Sequence, residues 1–75
     1  MDTSTTIEFG LPEAGEVSII IYDILGRQVL SPLKAIKPAG YHKMNIDMND
    51  FPSGLYFYVL STDNIKISKK MLYLK

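Results

Sequence analysis

The single histidine of the chain, His42, is the first residue to test for chemistry, because imidazole is the side chain that ordinarily changes charge between roughly pH 5 and 8. It lies in phase with Met44, Ile46 and Met48, whereas Lys43, Asn45 and Asp47 alternate on the other side. No cysteine occurs and no serine nucleophile stands at a recognisable spacing from it, so a half-buried structural imidazole is expected. Asn45-Ile46-Asp47-Met48-Asn49-Asp50 begins like a calcium loop of alternating oxygen ligands. The position that needs glycine for the sharp turn is Asp50, and the one that needs a bidentate glutamate is Tyr56, so the pattern breaks.

Ser31-Pro32-Leu33-Lys34 matches the Ser-x-x-Lys string of acyl-transferring enzymes, but that string requires a helix and partner motifs that the chain lacks. The glycines, at 10, 15, 26, 40 and 54, are dispersed one to a turn and form no phosphate loop. Tyr41, Tyr56, Phe57, Tyr58 and Tyr73 supply either a sugar-stacking platform or core volume, and so small a domain needs its aromatics for the core. The residues therefore predict no enzyme, no metal site and no cofactor.

What carries these residues is a series of short stretches separated by turn signals, none with helical periodicity. Ile7, Phe9 and Leu11 alternate with Thr6, Glu8 and Gly10, as in a strand with one wet face. Val17–Ile21 is β-branched and apolar, the composition of a central strand. Asp23-Ile24-Leu25-Gly26 has a carboxylate to accept turn N–H groups and a glycine for positive φ. Pro32 makes Gln28–Leu33 an edge strand or ends it early, which leaves Lys34–Ala39 as the longest loop.

Pro38-Ala39-Gly40-Tyr41 and Pro52-Ser53-Gly54-Leu55 are one device used twice, a rigid turn that launches a strand. In Leu55–Ser61 both faces are apolar, which predicts cover on both. Asp63-Asn64 makes a hairpin turn in which asparagine tolerates the left-handed conformation. Ile65–Lys75 closes the chain, and Lys69-Lys70 breaks its alternation, as a bulge or a change of sheet would. Six to seven mostly antiparallel strands at this spacing predict an all-β, small immunoglobulin-like β-sandwich.

With 75 residues, 47% hydrophobic positions and no cysteine, residues 1–75 form one domain that relies on packing alone. Eight Lys plus Arg balance eight Asp plus Glu, so no global field attracts nucleic acid or an anionic membrane. No apolar run is long enough to span a bilayer, and Met1-Asp2-Thr3-Ser4 does not begin a signal peptide. The charge is nevertheless uneven. Asp2, Glu8, Glu13, Glu16 and Asp23 occupy the first third, and Lys66, Lys69, Lys70 and Lys75 the end, which would be complementary if the terminal segments pair or pack.

Several strings in order resemble a known family: Thr5-Thr6-Ile7-Glu8-Phe9, Leu11-Pro12-Glu13-Ala14-Gly15, Tyr22-Asp23-Ile24-Leu25-Gly26-Arg27, Pro52-Ser53-Gly54-Leu55-Tyr56-Phe57-Tyr58, and Lys69-Lys70-Met71-Leu72-Tyr73-Leu74-Lys75. Together they resemble the C-terminal sorting domain of the type IX secretion system of Bacteroidota, which is similar to the immunoglobulin-like domain of flagellar hook-capping proteins. The resemblance implies a non-catalytic signal, cut from a larger secreted protein, that passes through the periplasm to the cell surface or the medium. It implies as partners the outer-membrane translocation machinery and a sortase-like peptidase. Pro52, Ser53, Gly54, Tyr56 and Tyr58 match the penultimate motif and, with Asp23, Gly26, Pro38 and Gly40, are expected to be structural. Lys69, Lys70, Met71 and Lys75 match the terminal motif and are expected to meet the partner. The alternatives are a carbohydrate-binding or structural module of a secreted enzyme, and a spacer whose free edge pairs with a second copy.

Overall fold

Val17, Ile19 and Ile21 have no solvent exposure in a computed structural model that describes residues 3–75. Burying each of these side chains contributes about 1.5–3 kcal/mol, and they fix the strand that holds them at the centre of the molecule. The strands are β1 (Ser4–Leu11), β2 (Gly15–Tyr22), β3 (Gln28–Lys37), β4 (Gly40–Asp47), β5 (Gly54–Ser61) and β6 (Lys66–Tyr73). A four-stranded antiparallel sheet runs in the order β3-β2-β5-β6, and a two-stranded antiparallel sheet pairs β1 with β4.

Ile7 and Leu11 from β1 and Ile46 from β4 join Val17, Ile19, Ile21, Tyr56, Leu60 and Met71 in one buried cluster. The two sheets therefore close on each other as an all-β sandwich, as the spacing of turns predicted. Among the described residues there is no helix long and apolar enough to cross a membrane. Met1 and Asp2, including the expected acidic contribution of Asp2, lie outside the described residues.

Four expectations are corrected by the structure. Pro32 lies on an edge strand, as expected, but does not end it: Ile19 faces Leu33 and Ile21 faces Leu30, so Ser31 and Pro32 together oppose Ile20 in a bulge. The ladder is already broken there, the missing N–H is accommodated, and β3 runs on to Lys37 through the segment expected to be a loop. The reverse holds at Lys69-Lys70, where pairing with β5 continues without a shift from Ser61↔Lys66 to Gly54↔Tyr73. Lys69 keeps its inward phase opposite Tyr58 and is exposed because β6 is an edge.

The turn at Asp63-Asn64 needs no left-handed asparagine, since no described non-glycine residue has positive φ. Thr62 closes it instead, its Oγ1 accepting the N–H of Asn64 at 3.2 Å and of Ile65 at 3.0 Å. Finally, β5 is covered on one face only: Tyr56 and Leu60 are buried, whereas Leu55 is 38% exposed and Phe57 and Val59 are half-buried. The two terminal strands pack rather than pair: β1 and β6 belong to different sheets, yet Ile7 and Leu11 share one core with Met71 and Tyr73.

Candidate recognition site

The turn before β5 and the end of β6 are the two motif groups singled out by sequence, and hydrogen bonds join them. Phe51 donates its N–H to the Met48 carbonyl at 3.0 Å and so bends the chain toward Pro52. The Tyr56 hydroxyl, inside the sandwich, donates back to the Pro52 carbonyl at 2.6 Å. A tyrosine at the start of a strand thus ties down the turn before it, the same device as the tyrosine corner of immunoglobulin-like sandwiches. The Ser53 hydroxyl accepts the backbone N–H of Lys75 at 2.9 Å, and Gly54 pairs with Tyr73. The last residues of the chain are thereby clamped to the Pro52–Gly54 turn.

Two side chains of β6 anchor it from within. Met71 is buried opposite Tyr56, and Tyr73 packs its ring edge-on to Tyr56 at a centroid distance of 6.5 Å. Met71 thus sits in the core, where its contact is with the domain itself. Lys69, Lys70 and Lys75 are exposed, as is Lys66. The ion pairs among the described residues are Asp23–Arg27 and Glu8–Lys43, so these four ammonium groups have no carboxylate partner there. Beyond β6 the sheet has no further strand among the described residues, which leaves one row of its backbone donors and acceptors open.

The Asp23 turn borders the same end of the sandwich. Asp23 Oδ1 accepts the N–H groups of Leu25 at 2.9 Å and Arg27 at 3.0 Å, and Arg27 Nε donates to Oδ2 at 2.7 Å. The Arg27 backbone N–H is the largest influence holding this carboxyl below its ordinary 3.8, joined by the Arg27 guanidinium and the Leu25 N–H against an opposing desolvation. Gly26, at φ 79°, supplies the left-handed residue that the turn requires. Between this turn and Phe51–Tyr56 lies a cleft of about 430 Å³, with Ile24, Leu25, Val29, Phe51 and Leu55 among its walls.

Pro38 and Gly40 stand apart, at the end where Leu11 pairs with Gly40 and Gly15 with Lys37. The Pro38 carbonyl accepts Nε2–H of His42 at 2.8 Å, and the imidazole packs against Phe9 at 5.3 Å. This is the structural role expected of the histidine. Tyr58 is half-buried opposite Ile21 and Lys69. The aromatics do not share one surface: Tyr56 and Tyr73 are internal, Phe57 faces outward on the large sheet, and Tyr41 is 96% exposed on the small one, its ring set over Gly10. Asn45 and Asp47 spend oxygens on β1 and the following turn, accepting from Thr6 at 2.7 Å and from the Asn49 N–H at 2.9 Å.

Sequence reasoning missed the bond from Ser53 to Lys75, which spans 22 positions and has no local signature. It also missed the exposure of Ile24, Leu25, Leu72 and Leu74, although two apolar residues inside an Asp-to-Gly turn are themselves a signal. A family model described as the secretion system C-terminal sorting domain matches residues 2–74. No curated protein and no solved structure matches the chain.

Proposed function

This chain belongs to the type IX secretion C-terminal sorting domain family, and from that premise we propose that β6, with its clamped end, is the handle that the outer-membrane translocation machinery grasps. A sorting signal works by being bound rather than by turning over a substrate. We read residues 1–75 as the single C-terminal domain of a larger secreted protein, routed through the periplasm and separated from its cargo by a sortase-like peptidase.

One observation carries the reading: β6 is a regular, unshifted edge strand whose outward row of backbone groups has no strand partner, and whose lysines have no carboxylate partner, among the described residues. An edge of that kind adds to a partner's sheet, with main-chain bonds for affinity and ammonium groups for choice. Lys69, Lys70 and Lys75 make the contact, while Met71 holds the strand in place from the core. Asp23, Gly26, Pro52, Ser53, Gly54 and Tyr56 shape the end that presents it, Tyr58 backs Lys69, and Pro38 with Gly40 positions the opposite end.

The test is to fuse the domain to a periplasmic reporter in a host with the secretion system. Removing Lys69–Lys75 abolishes surface delivery, and undiminished delivery refutes the handle. Because that deletion also strips Met71 and Tyr73 from the core, a second variant, Lys69→Glu with Lys70→Glu, keeps the packing and reverses only the exposed charge. Its delivery falls while its thermal melting is retained.

A further inference from the structure

The two sheets of this sandwich turn very different outer faces to the surroundings. On the small sheet, neighbouring polar side chains satisfy each other: Thr6 donates to Asn45 at 2.7 Å, and Lys43 pairs with Glu8 at 3.4 Å. Apart from Tyr41, whose ring lies over Gly10, that face is finished for water. On the large sheet, cross-strand pairing sets Tyr22 against Phe57, Ile20 against Val59 and Leu55 against Leu72, an unbroken apolar strip over three strands. Lys34 on β3 and Lys66 and Lys70 on β6 border this strip, and Glu16 is its one carboxylate. None of the three lysines has an ion-pair partner among the described residues.

We infer that this outer face docks a protein partner presenting an apolar strip bordered by carboxylates, whether or not β6 also accepts a strand. Lys34 lies opposite Ser18, Ser18 opposite Ser61, and Ser61 opposite Lys66, so one row crosses the whole sheet with an ammonium at each end. At about 4.8 Å per strand the two lysines are rooted roughly 14 Å apart, wide enough to straddle an opposing apolar strip. Such charge complementarity selects a partner and sets the register of docking.

Other occupants fit less well. A second copy stacked face to face would oppose lysines with lysines along both borders. An anionic bilayer needs a broad set of apolar side chains that reach about 5–10 Å past the headgroups, but Ile20, Tyr22, Phe57 and Val59 are half-buried, and of this strip only Leu55 and Leu72 are exposed. A small molecule needs concavity, and the clefts at the two ends of the sandwich include none of these four residues.

The isotope-labelled 75-residue chain can be titrated with a soluble peptide of alternating Leu and Glu, with a Leu and Lys peptide and phosphatidylglycerol vesicles as comparison arms. The Leu–Glu peptide is expected to shift the side-chain resonances of Tyr22, Phe57, Ile20 and Val59. The double variant Lys34→Glu, Lys70→Glu weakens this binding about tenfold or more, and Lys43→Glu on the small sheet leaves it unchanged. Equal binding of the Leu–Lys peptide, shifts confined to backbone amides of β6, or a response to vesicles alone would each overturn the inference.

Discussion

Along β3, at one border of the four-stranded sheet, the pairing with β2 slips twice, Pro32 removes a donor, and Lys34 stands exposed. Along β6, at the other border, eight residues pair with β5 in unbroken register and no proline intervenes. Bulges, proline and lysine are the means by which sheets discourage added strands, and β3 has all three. β6 has lysine alone. The regular edge is the one that ends in the terminal motif, and it is kept regular by anchors on its inner side, Met71 and Tyr73. Of the two borders of this sheet, β6 is therefore the one to which a further strand could add more readily.

The sharpest way to break the comparison is to loosen β6 from within. Met71→Ala should lower the unfolding free energy by about 3 kcal/mol in urea titrations, a large share of the roughly 4–11 kcal/mol typical for a chain of this length. Amide exchange along β6 should rise with it. An unchanged urea midpoint would show that β6 is held by its backbone ladder alone. Tyr56→Phe removes only the hydroxyl that reaches Pro52 and should be milder, about 1 kcal/mol by the same measurement.

The hairpins leading to the two edges also differ in how they respond to acid. Asp23 closes the one before β3, and its carboxyl titrates below 3.8 in the folded chain. The ionised form is the one that folding favours, so its stabilising contribution is present above 3.8 and is lost as pH falls through the lower folded value. Thr62 closes the hairpin before β6 and has nothing to titrate. Amide exchange at Leu25 and Arg27 should therefore rise below about pH 3.8 ahead of that at Asn64 and Ile65, and Asp23→Asn should remove the difference.

Smallest in stability, yet most direct for edge behaviour, is the variant Lys66→Ser, Lys69→Ser, Lys70→Ser. Its unfolding free energy should stay within about 0.5 kcal/mol of the parent's. Analytical ultracentrifugation should nevertheless show concentration-dependent pairing of two copies through β6. A strictly monomeric variant would mean that something other than charge guards this edge.

Much of this was legible in the residues because alternation and turn chemistry are local. The β-branched run at Val17–Ile21 named the central strand, and Asp23 with Gly26 named a turn whose hydrogen bonds follow from those two residue types. Pro32 marked an edge strand correctly but misled as a stop, because whether a proline ends a strand depends on a bulge, and a bulge is a property of two strands. Lys69-Lys70 misled for the converse reason: at an edge an inward-phased lysine still reaches water, so broken alternation there marks exposure and not a register shift. The uncovered face of β5 went unseen because apolar residues on both sides of a strand do not reveal whether a second layer exists.

β1 finds its hydrogen-bonding mate only in β4, and β6 can be seated only after Tyr56 has been placed by β5. Until the final residues arrive, Ile7, Leu11 and Tyr56 lack part of their cover, and the molecule has no finished border to offer. If β6 is the handle proposed above, the address label is written by the act of folding, and a passenger that stalls or tangles before that moment would carry nothing legible.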